Sequence, residues 1–387
     1  MRRRAPLATA IALGVLGVFA ACSSFEVIGP SSTNDPPDAS TPSDGAADVA
    51  FDVVRPPSGA LGCTPARALD CDPVSGCTLT LLFKPAEVEW PFGIVTDAEK
   101  VYWVTQTNTQ TDSPAYDGAG AAKIHWISKR GTRERKTMTG GQVRTTAAAL
   151  DGDSVYWPAR AENGTSWVLR RGERNCANES KDNCGTSFFV ALGEEPVVDL
   201  RSTVPGHMVA ATSKGTVILI DLASKQALRF PVTGDLPTLA TTELSAFAAS
   251  GYVHGVAEVV YAQMSSRPYD AVPDAGKQSG IGLLATDCTT LFGLRTPEST
   301  GDRDVFALGG ASPRAVGTIS RGFDPKTIAA DARHLYVGGS AGLYVKDIAA
   351  GTPFAHRDGP EIWRIAVDDD GVYYANHTTG ELYMLAR

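Results

Sequence analysis

The stretch GIVTDAEKVYWV, residues 93–104, recurs in altered form at three later positions: AAALDGDSVYWP (147–158), TIAADARHLYVG (327–338) and RIAVDDDGVYYA (364–375). Each copy has a short apolar run, an Asp, three turn-forming residues and then a β-branched and aromatic run. An Asp in a turn tolerates the required dihedral angles and accepts backbone N–H groups through its side chain. Each copy therefore predicts a β-hairpin, and we assign a structural role to the four acidic residues: Asp97, Asp151, Asp331 and Asp368.

The strand after each Asp is apolar on both faces, as Val101–Val104 shows. Such a strand is buried on both sides, as it is when sheets stack radially around an axis. Weaker copies begin near residues 196 and 243, and the second of these takes IGLLATD (281–287) as its third strand. The six units of roughly 50 residues are close to the length of propeller blades. We predict an all-β, six-bladed β-propeller, or a seven-bladed one if DVFALGG (304–310) belongs to a unit of its own.

The last unit contains only three strands before the chain ends. A sheet left open at this point would expose an unpaired edge, which is an aggregation hazard. The apolar run Leu79–Phe83, just before the first unit, belongs to no other unit. We therefore predict that it completes the last blade by pairing near Leu382–Leu385.

The D-x3-VYW pattern is similar to that of secreted six-bladed propellers of the YWTD type and of related bacterial propeller lipoproteins. The similarity covers most of residues 78–387, with four strong units. The full YWTD tetrad is absent, because Trp103 is followed by Val and Trp157 by Pro. The resemblance implies a propeller fold and does not specify a ligand.

The N-terminus predicts export. Three arginines precede an apolar run that ends in Phe19-Ala20-Ala21-Cys22, the order expected of a secretory signal. The junction resembles that of bacterial lipoproteins, in which the cysteine receives a diacylglycerol and becomes the first mature residue; ordinary cleavage with an incidental Cys22 is the alternative. In that family an Asp directly after the cysteine favours retention in the inner membrane. This chain has Ser23 at that position instead. The resemblance therefore implies a lipoprotein anchored by diacylglycerol and palmitate, in the outer membrane, facing the periplasm or the cell surface.

A Pro-, Ser- and Asp-rich stretch follows the signal, with too little apolar surface to fold. We predict a disordered tether there. The whole chain carries a formal net charge of −8, and loss of the three signal arginines makes the mature protein more acidic still. Acidity without a basic run argues against nucleic acid as a partner. The predicted organisation is a signal peptide (1–21), a lipidated Cys and tether (22–62), a Cys-rich connecting segment (63–77) and the propeller (78–387), in a monomer.

Seven cysteines are present, and lipidation of Cys22 leaves six for disulfides in an exported chain. These disulfide candidates are Cys63, Cys71, Cys77, Cys176, Cys184 and Cys288. Cys176 and Cys184 flank a polar segment and are predicted to close a local loop. For the others one scheme is Cys63–Cys71 with Cys77–Cys288. Zinc is disfavoured because the spacings do not match the usual C-x2–4-C pairs.

No nucleophile elbow, phosphate-binding loop or zinc-protease motif is present, and the six histidines are scattered. We therefore predict no catalytic residues, no metal and no cofactor. Two long loops share a Pro-containing phrase that ends in Tyr-Asp: Tyr116-Asp117 and Tyr269-Asp270. We interpret both as links between the second and third strands of their units, the first and the fourth, which are opposite in a six-bladed ring. We therefore predict that they frame one mouth of the channel as a binding surface; the alternative is two unrelated insertions.

Three functions are compatible with these patterns. The preferred one is a non-catalytic binding or scaffolding module, anchored in the envelope, for a protein, peptide or glycan partner. The second is a propeller enzyme, a hydrolase or lyase with a site at the channel mouth. The third is an assembly scaffold for outer-membrane proteins. Fold alone does not choose between them.

Overall fold

The computed structural model describes most of the chain after residue 64. The described residues are 65–86, 89–106, 121–143, 145–161, 164–174, 187–203, 205–231, 238–241, 245–250, 252–260, 263–265, 281–295, 302–308, 313–320 and 322–386. Within these ranges the regular structure consists of 28 strands. The predicted signal, Cys22 and the tether lie outside them and remain predictions.

The strands follow one another in groups of four, which we call units 1 to 7. After β1 (Leu79–Phe83), unit 1 is β2 (Trp90–Thr96), β3 (Lys100–Gln106), β4 (Ala121–Ser128) and β5 (Lys136–Val143). Unit 2 is β6 (Ala149–Asp151), β7 (Ser154–Arg160), β8 (Trp167–Glu173) and β9 (Ser187–Gly193). Unit 3 is β10 (Val197–Ser202), β11 (His207–Thr212), β12 (Thr216–Asp221) and β13 (Gln226–Pro231).

The later units follow the same plan. Unit 4 is β14 (Thr238–Thr241), β15 (Ser245–Ser250), β16 (Tyr252–Val260) and β17 (Gln263–Ser265). Unit 5 is β18 (Ile281–Thr286), β19 (Leu291–Arg295), β20 (Arg303–Leu308) and β21 (Arg314–Ile319). Unit 6 is β22 (Pro325–Ala330), β23 (His334–Gly339), β24 (Gly342–Asp347) and β25 (Ala355–Asp358). Unit 7 is β26 (Ile362–Asp368), β27 (Gly371–Asn376) and β28 (Leu382–Ala386), completed by β1.

The described strands form six hydrogen-bonded sheets, which is the predicted number. Five have four strands, and the sixth has eight because units 1 and 2 are joined by the single pair Val143–Arg160. Counted as four-stranded units there are seven, which matches the seven-bladed alternative. The sequence 304–310 overlaps β20, which belongs to unit 5. This sequence is therefore part of a separate unit, as the alternative requires. The assignment of 281–287 as a third strand is wrong, since β18 opens unit 5.

The units close into a ring. The first strand of each unit contacts the first strand of the next, in the order β2, β6, β10, β14, β18, β22 and β26, and β26 contacts β2. The prediction for the opening strand is confirmed, because β1 pairs antiparallel with β28, with Leu79 opposite Leu385 and Leu81 opposite Tyr383. Residues from both ends of the domain therefore complete one sheet, and no edge of unit 7 is left open at β28.

The core lies between neighbouring units, as the two-sided apolar strands predict. In β3, Trp103 packs toward unit 7 against Leu382, whereas Tyr102 packs toward unit 2 against Trp157. All four side chains are buried. Full burial of a large apolar side chain stabilises a fold by about 1.5–3 kcal/mol. Two consecutive residues of β3 therefore hold unit 1 against both of its neighbouring units.

The connecting segment packs against units 6 and 7. Leu69 is buried against Tyr336 and Ile362, and the Arg357 guanidinium donates to the Pro73 carbonyl at 2.9 Å. The segment thus covers the gap between unit 6 and unit 7, the unit that β1 completes.

The proposed disulfide scheme is wrong. Cys71 bonds Cys77, with their Cα atoms 5.1 Å apart, because both Gly76 and Cys77 donate backbone N–H bonds to the Asp72 carbonyl and fold the intervening residues into a tight turn. Cys288 is also disulfide-bonded, with neither of these two. Cys63, Cys176 and Cys184 lie outside the described residues, so their pairing remains a prediction.

Candidate functional site

The ring has two faces that differ in how they are built. We call the face at which the first strand of each unit begins the upper face, and the face at which it ends the lower face. Antiparallel pairing then puts the turns after the first and third strands of a unit on the lower face. Turns after the second and fourth strands lie on the upper face.

The lower face carries the Asp turns. The Asp97 carboxylate accepts the N–H groups of Glu99 and Lys100 at 2.7 and 2.8 Å. Asp331 accepts those of Arg333 and His334 at 2.8 and 2.6 Å. Asp368 accepts those of Asp370 and Gly371. The structural role predicted for these three residues is confirmed.

The second carboxylate oxygen in two of these turns binds a tyrosine five residues later. Tyr102 donates its hydroxyl to Asp97 at 3.0 Å, and Tyr336 donates to Asp331 at 2.6 Å. Burial raises the pKa of Asp331, but the bonds from His334, Tyr336 and the turn N–H groups outweigh it and hold that pKa below its usual value. The carboxylates are thus kept ionised as acceptors for the turn.

Contacts between units tie these turns together. Asp368 of unit 7 binds the Lys129 ammonium and the Thr96 hydroxyl of unit 1. The Arg174 guanidinium of unit 2 binds Asp97 of unit 1. Asp151 of unit 2 accepts the Gly206 N–H of unit 3 at 2.9 Å, so this fourth predicted Asp joins two units rather than closing its own turn. The carboxylates of these Asp turns are therefore committed to holding the turns and the ring.

A second buried polar cluster lies between strands of unit 1. Glu89 binds Arg135 at 2.7 Å and lies 3.4 Å from His125. His125 is fully buried and is bonded on its other ring nitrogen to Thr137 at 3.0 Å. Burial alone would raise the pKa of Glu89, but His125, Arg135 and Lys123 lower it to about 2. Burial lowers the pKa of His125, against the attraction of Glu89.

This cluster predicts loss of stability on acidification. Because the folded pKa of His125 lies below its usual 6.5, the unfolded chain binds more protons as the pH falls below that value. For Glu89, stability is lost as the pH falls from the usual carboxyl pKa of 4.5 to the folded-state pKa of about 2. The resulting decrease in the free energy of unfolding is on the order of 2 kcal/mol. Chemical denaturation from pH 8 to 3 should show a falling free energy of unfolding.

The matched variants make this prediction specific. His125→Gln should flatten the dependence below pH 6.5, whereas Ser224→Ala, which removes no titratable group from an exposed turn, should leave it unchanged. An unaltered profile in His125→Gln would show that this imidazole is not responsible.

The centre of the ring holds a cavity of about 490 Å³. Residues from the first strand of all seven units line it, and many are small, such as Ala148, Ala285 and Ala366. Each such strand is the inner edge of its sheet, and an edge presents backbone N–H and C=O groups that no strand pairs. Arg201 is the charged residue among those lining the cavity. The channel is therefore narrow, partly polar and accessible to a small molecule.

An aromatic cluster near the upper face was not found from sequence. Trp363 and His377 stack with ring centroids 3.7 Å apart, and Phe92 meets Trp363 edge-on at 6.1 Å. All three side chains are buried. They join unit 7 to unit 1. The similarity between EWPFGIVTD (89–97) and EIWRIAVDD (361–369) was the signal that could have revealed them.

The predicted loop residues lie outside the described residues: Tyr116, Asp117, Tyr269 and Asp270. Their loops are not equivalent, and the prediction is wrong on that point. Residues 107–120 link the second and third strands of unit 1, whereas 266–280 link the last strand of unit 4 to the first of unit 5. Both connections nevertheless belong to the upper face, and whether they form a binding surface stays a prediction.

Two further properties concern the described residues alone. They contain no group of three or more His, Cys, Asp and Glu side chains that could hold a metal ion. Among them, no helix has the length and apolar character needed to span a bilayer.

Comparison with solved structures identifies the architecture. The chain is similar to the structure of U3-55K, with a TM-score of 0.58 over 80% of this chain and 98% of that one, at 9% identity. It is also similar to the WD40 β-propeller domain of Doa1, with a TM-score of 0.55 over 80% and 97% of the two chains, at 10% identity. The fold is a β-propeller. YCF48 from Cyanidioschyzon merolae matches at a TM-score of 0.53 over 80% and 98%, at 11% identity.

These similarities establish the fold of the propeller and nothing finer. No family model matches the chain, and no curated protein matches it. The YWTD-type resemblance and the lipoprotein character therefore remain predictions from sequence.

Proposed function

We propose that this propeller is a non-catalytic, envelope-anchored module that binds a protein, peptide or glycan partner through its upper face. The observation that carries the proposal is the difference between the two faces. On the lower face the turn carboxylates accept backbone N–H groups and bind side chains of neighbouring units. Groups bound in this way are unavailable as general acids or bases.

The upper face differs in its connections. It carries two long segments, 107–120 and 266–280, between strands that are themselves fixed by the ring, whereas the lower face carries one, 174–186. Binding residues are concentrated on loops that a rigid scaffold positions. Propellers of the WD40 type generally act as protein-interaction scaffolds, which favours a protein over a glycan as the partner.

Tyr116 and Tyr269 are the proposed contact residues. Tyrosine provides rigid apolar area with a polar tip, and it is enriched at interfaces. Removing both side chains should reduce partner recovery by at least about tenfold, since central interface aromatics cost about 2 kcal/mol or more each. The measurement is quantitative crosslinking and pull-down from intact envelopes with Tyr116→Ala/Tyr269→Ala.

The control for this test is the lower-face variant Ser224→Ala, at an exposed turn between β12 and β13. It should recover the same partner in wild-type amounts. Equal recovery by the double Tyr variant and the wild type would overturn the proposed contact surface.

The envelope location rests on the N-terminus. We propose that Cys22 is lipidated and that residues 22–62 hold the propeller away from the outer membrane. Two or three acyl chains give firm anchoring, because each buried methylene contributes about 0.8 kcal/mol. Cys22→Ser should move the protein from the membrane pellet to the soluble periplasmic fraction and abolish labelling by a palmitate analogue. Retention of the variant in the washed membrane pellet would contradict lipid anchoring.

A further inference from the structure

Cys288 occupies the same position in unit 5 as two residues that the connecting segment contacts in units 6 and 7. It directly follows Asp287, the carboxylate of the Asp turn between β18 and β19. Ala332 and Asp369 directly follow the corresponding turn carboxylates of units 6 and 7. The three residues are therefore equivalent, and they lie on the lower face of three consecutive units.

The connecting segment crosses two of these three positions. The Arg67 backbone N–H donates to the Asp369 carboxylate of unit 7 at 2.8 Å. One residue earlier, the Ala66 carbonyl accepts the backbone N–H of Ala332 in unit 6 at 2.8 Å. Followed toward the N-terminus, the segment thus passes from unit 7 to unit 6. The next unit in that direction is unit 5, because β18 contacts β22.

Cys63 precedes Ala66 by three positions and lies outside the described residues. Three residues of extended chain span up to about 10 Å, and neighbouring packed sheets are about 10 Å apart. A disulfide bridges a further distance of about 5.5 Å between two Cα atoms. A segment that continues in the same direction therefore brings Cys63 within bonding reach of Cys288.

The other cysteines are poorer partners for Cys288. Cys288 is disulfide-bonded, but Cys71 and Cys77 bond each other. Two more cysteines belong to the connection 174–186 between β8 and β9 of unit 2. Units 3 and 4 separate that unit from unit 5 in the ring. Cys22 is the proposed site of lipidation.

We propose that Cys63 and Cys288 form a disulfide that fixes the connecting segment across the lower face of units 5, 6 and 7. Formation of the bond between the two sulfurs removes two protons and two electrons from the thiols. These reduce the disulfide of an exported thiol–disulfide oxidoreductase to a dithiol, through a mixed disulfide. The tether then leaves the propeller on the lower face, away from the proposed partner surface.

Peptide mapping under non-reducing conditions tests the pairing without a membrane or a partner. Tryptic cleavage after Arg67 separates Cys63 from the Cys71–Cys77 pair, and Cys288 falls in the peptide 278–295. The full chain with Cys22→Ser is alkylated and then digested. Mass spectrometry should find 278–295 linked to the peptide that ends at Arg67, and reduction before digestion should abolish the link.

Thiol alkylation of two variants provides the matched comparison. Cys63→Ser should make the half-buried Cys288 react with a maleimide in the unreduced protein. Cys77→Ser should instead make Cys71 reactive and leave Cys288 unlabelled. The mapping does not depend on the folding of either variant, because both partner cysteines are retained in it. Linkage of 278–295 to a peptide from residues 175–201, or a fully alkylated Cys288 in the unreduced Cys22→Ser protein, would overturn the proposal.

Discussion

Leu82→Asp is expected to lower the free energy of unfolding by about 4 kcal/mol or to prevent folding altogether. Leu82 lies in β1, the strand that completes unit 7, and its side chain is 4% exposed. It packs with Trp103 of unit 1 and Leu382 of unit 7. A carboxylate there would be buried without a partner and would also break the contact that joins the two ends of the ring.

Leu81→Asp is the matched control. Leu81 is the adjacent residue of the same strand, but its side chain is 45% exposed. The expected cost is below about 1 kcal/mol, typical of surface substitutions. Urea denaturation followed by tryptophan fluorescence measures both variants. Similar losses in the two would mean that β1 does not pair with β28 in the register described.

Asp331→Ala is the second substitution with a large expected effect. It should lower the free energy of unfolding by about 3 kcal/mol. Its carboxylate is fully buried and accepts three bonds, from the N–H groups of Arg333 and His334 and from the Tyr336 hydroxyl. Truncation leaves three buried donors without an acceptor, and bonds to a charged group are worth about 1.5–3 kcal/mol each before relaxation.

Asp221→Ala separates turn geometry from burial. Asp221 also accepts two turn N–H groups, from Ala223 and Ser224, but it is half-buried and lies in an outer turn. Water can replace it, so the loss should be about 1 kcal/mol. Thermal and urea unfolding measure the loss of stability in both variants. Equal losses would refute a special role for the Asp turns that follow the first strand of a unit.

The sequence predicted those features that depend on local pattern. The Asp at 97, 331 and 368 was assigned correctly because a turn with two N–H donors is a local structure. The pairing of Leu79–Phe83 was predicted because an unclaimed strand at one end matched a missing strand at the other. Both inferences needed only the periodicity and the number of strands.

Unit 5 was predicted only as the seven-bladed alternative because its hairpin departs from the pattern. Asp287 does accept the N–H groups of Thr289 and Thr290, but Phe292 stands where the other copies have Tyr, and Cys288 adopts a φ of +70°. The local turn chemistry is preserved while the Asp-to-Tyr spacing pattern is lost. The repeat pattern therefore predicted six units, the number of hydrogen-bonded sheets, and left the seventh four-stranded unit as the alternative.

Long-range contacts were beyond prediction from the sequence. The pairing of Lys129 with Asp368 and of Arg174 with Asp97 depends on which units are adjacent. Neither spacing nor composition encodes those distances. The disulfide between Cys71 and Cys77 is local by contrast, and it was misassigned because the tight turn at Asp72 was not recognised.

Site-specific photocrosslinking tests the proposed recognition face most directly. A photoreactive amino acid is placed at one of two exposed upper-face turns, Ser340 or Thr378, or at one of two exposed lower-face turns, Asp153 or Ser224. Irradiation of intact cells should give the same discrete adduct from both upper positions and none from the lower pair. Adducts from the lower positions alone would contradict the assignment of the upper face as the surface that binds the partner.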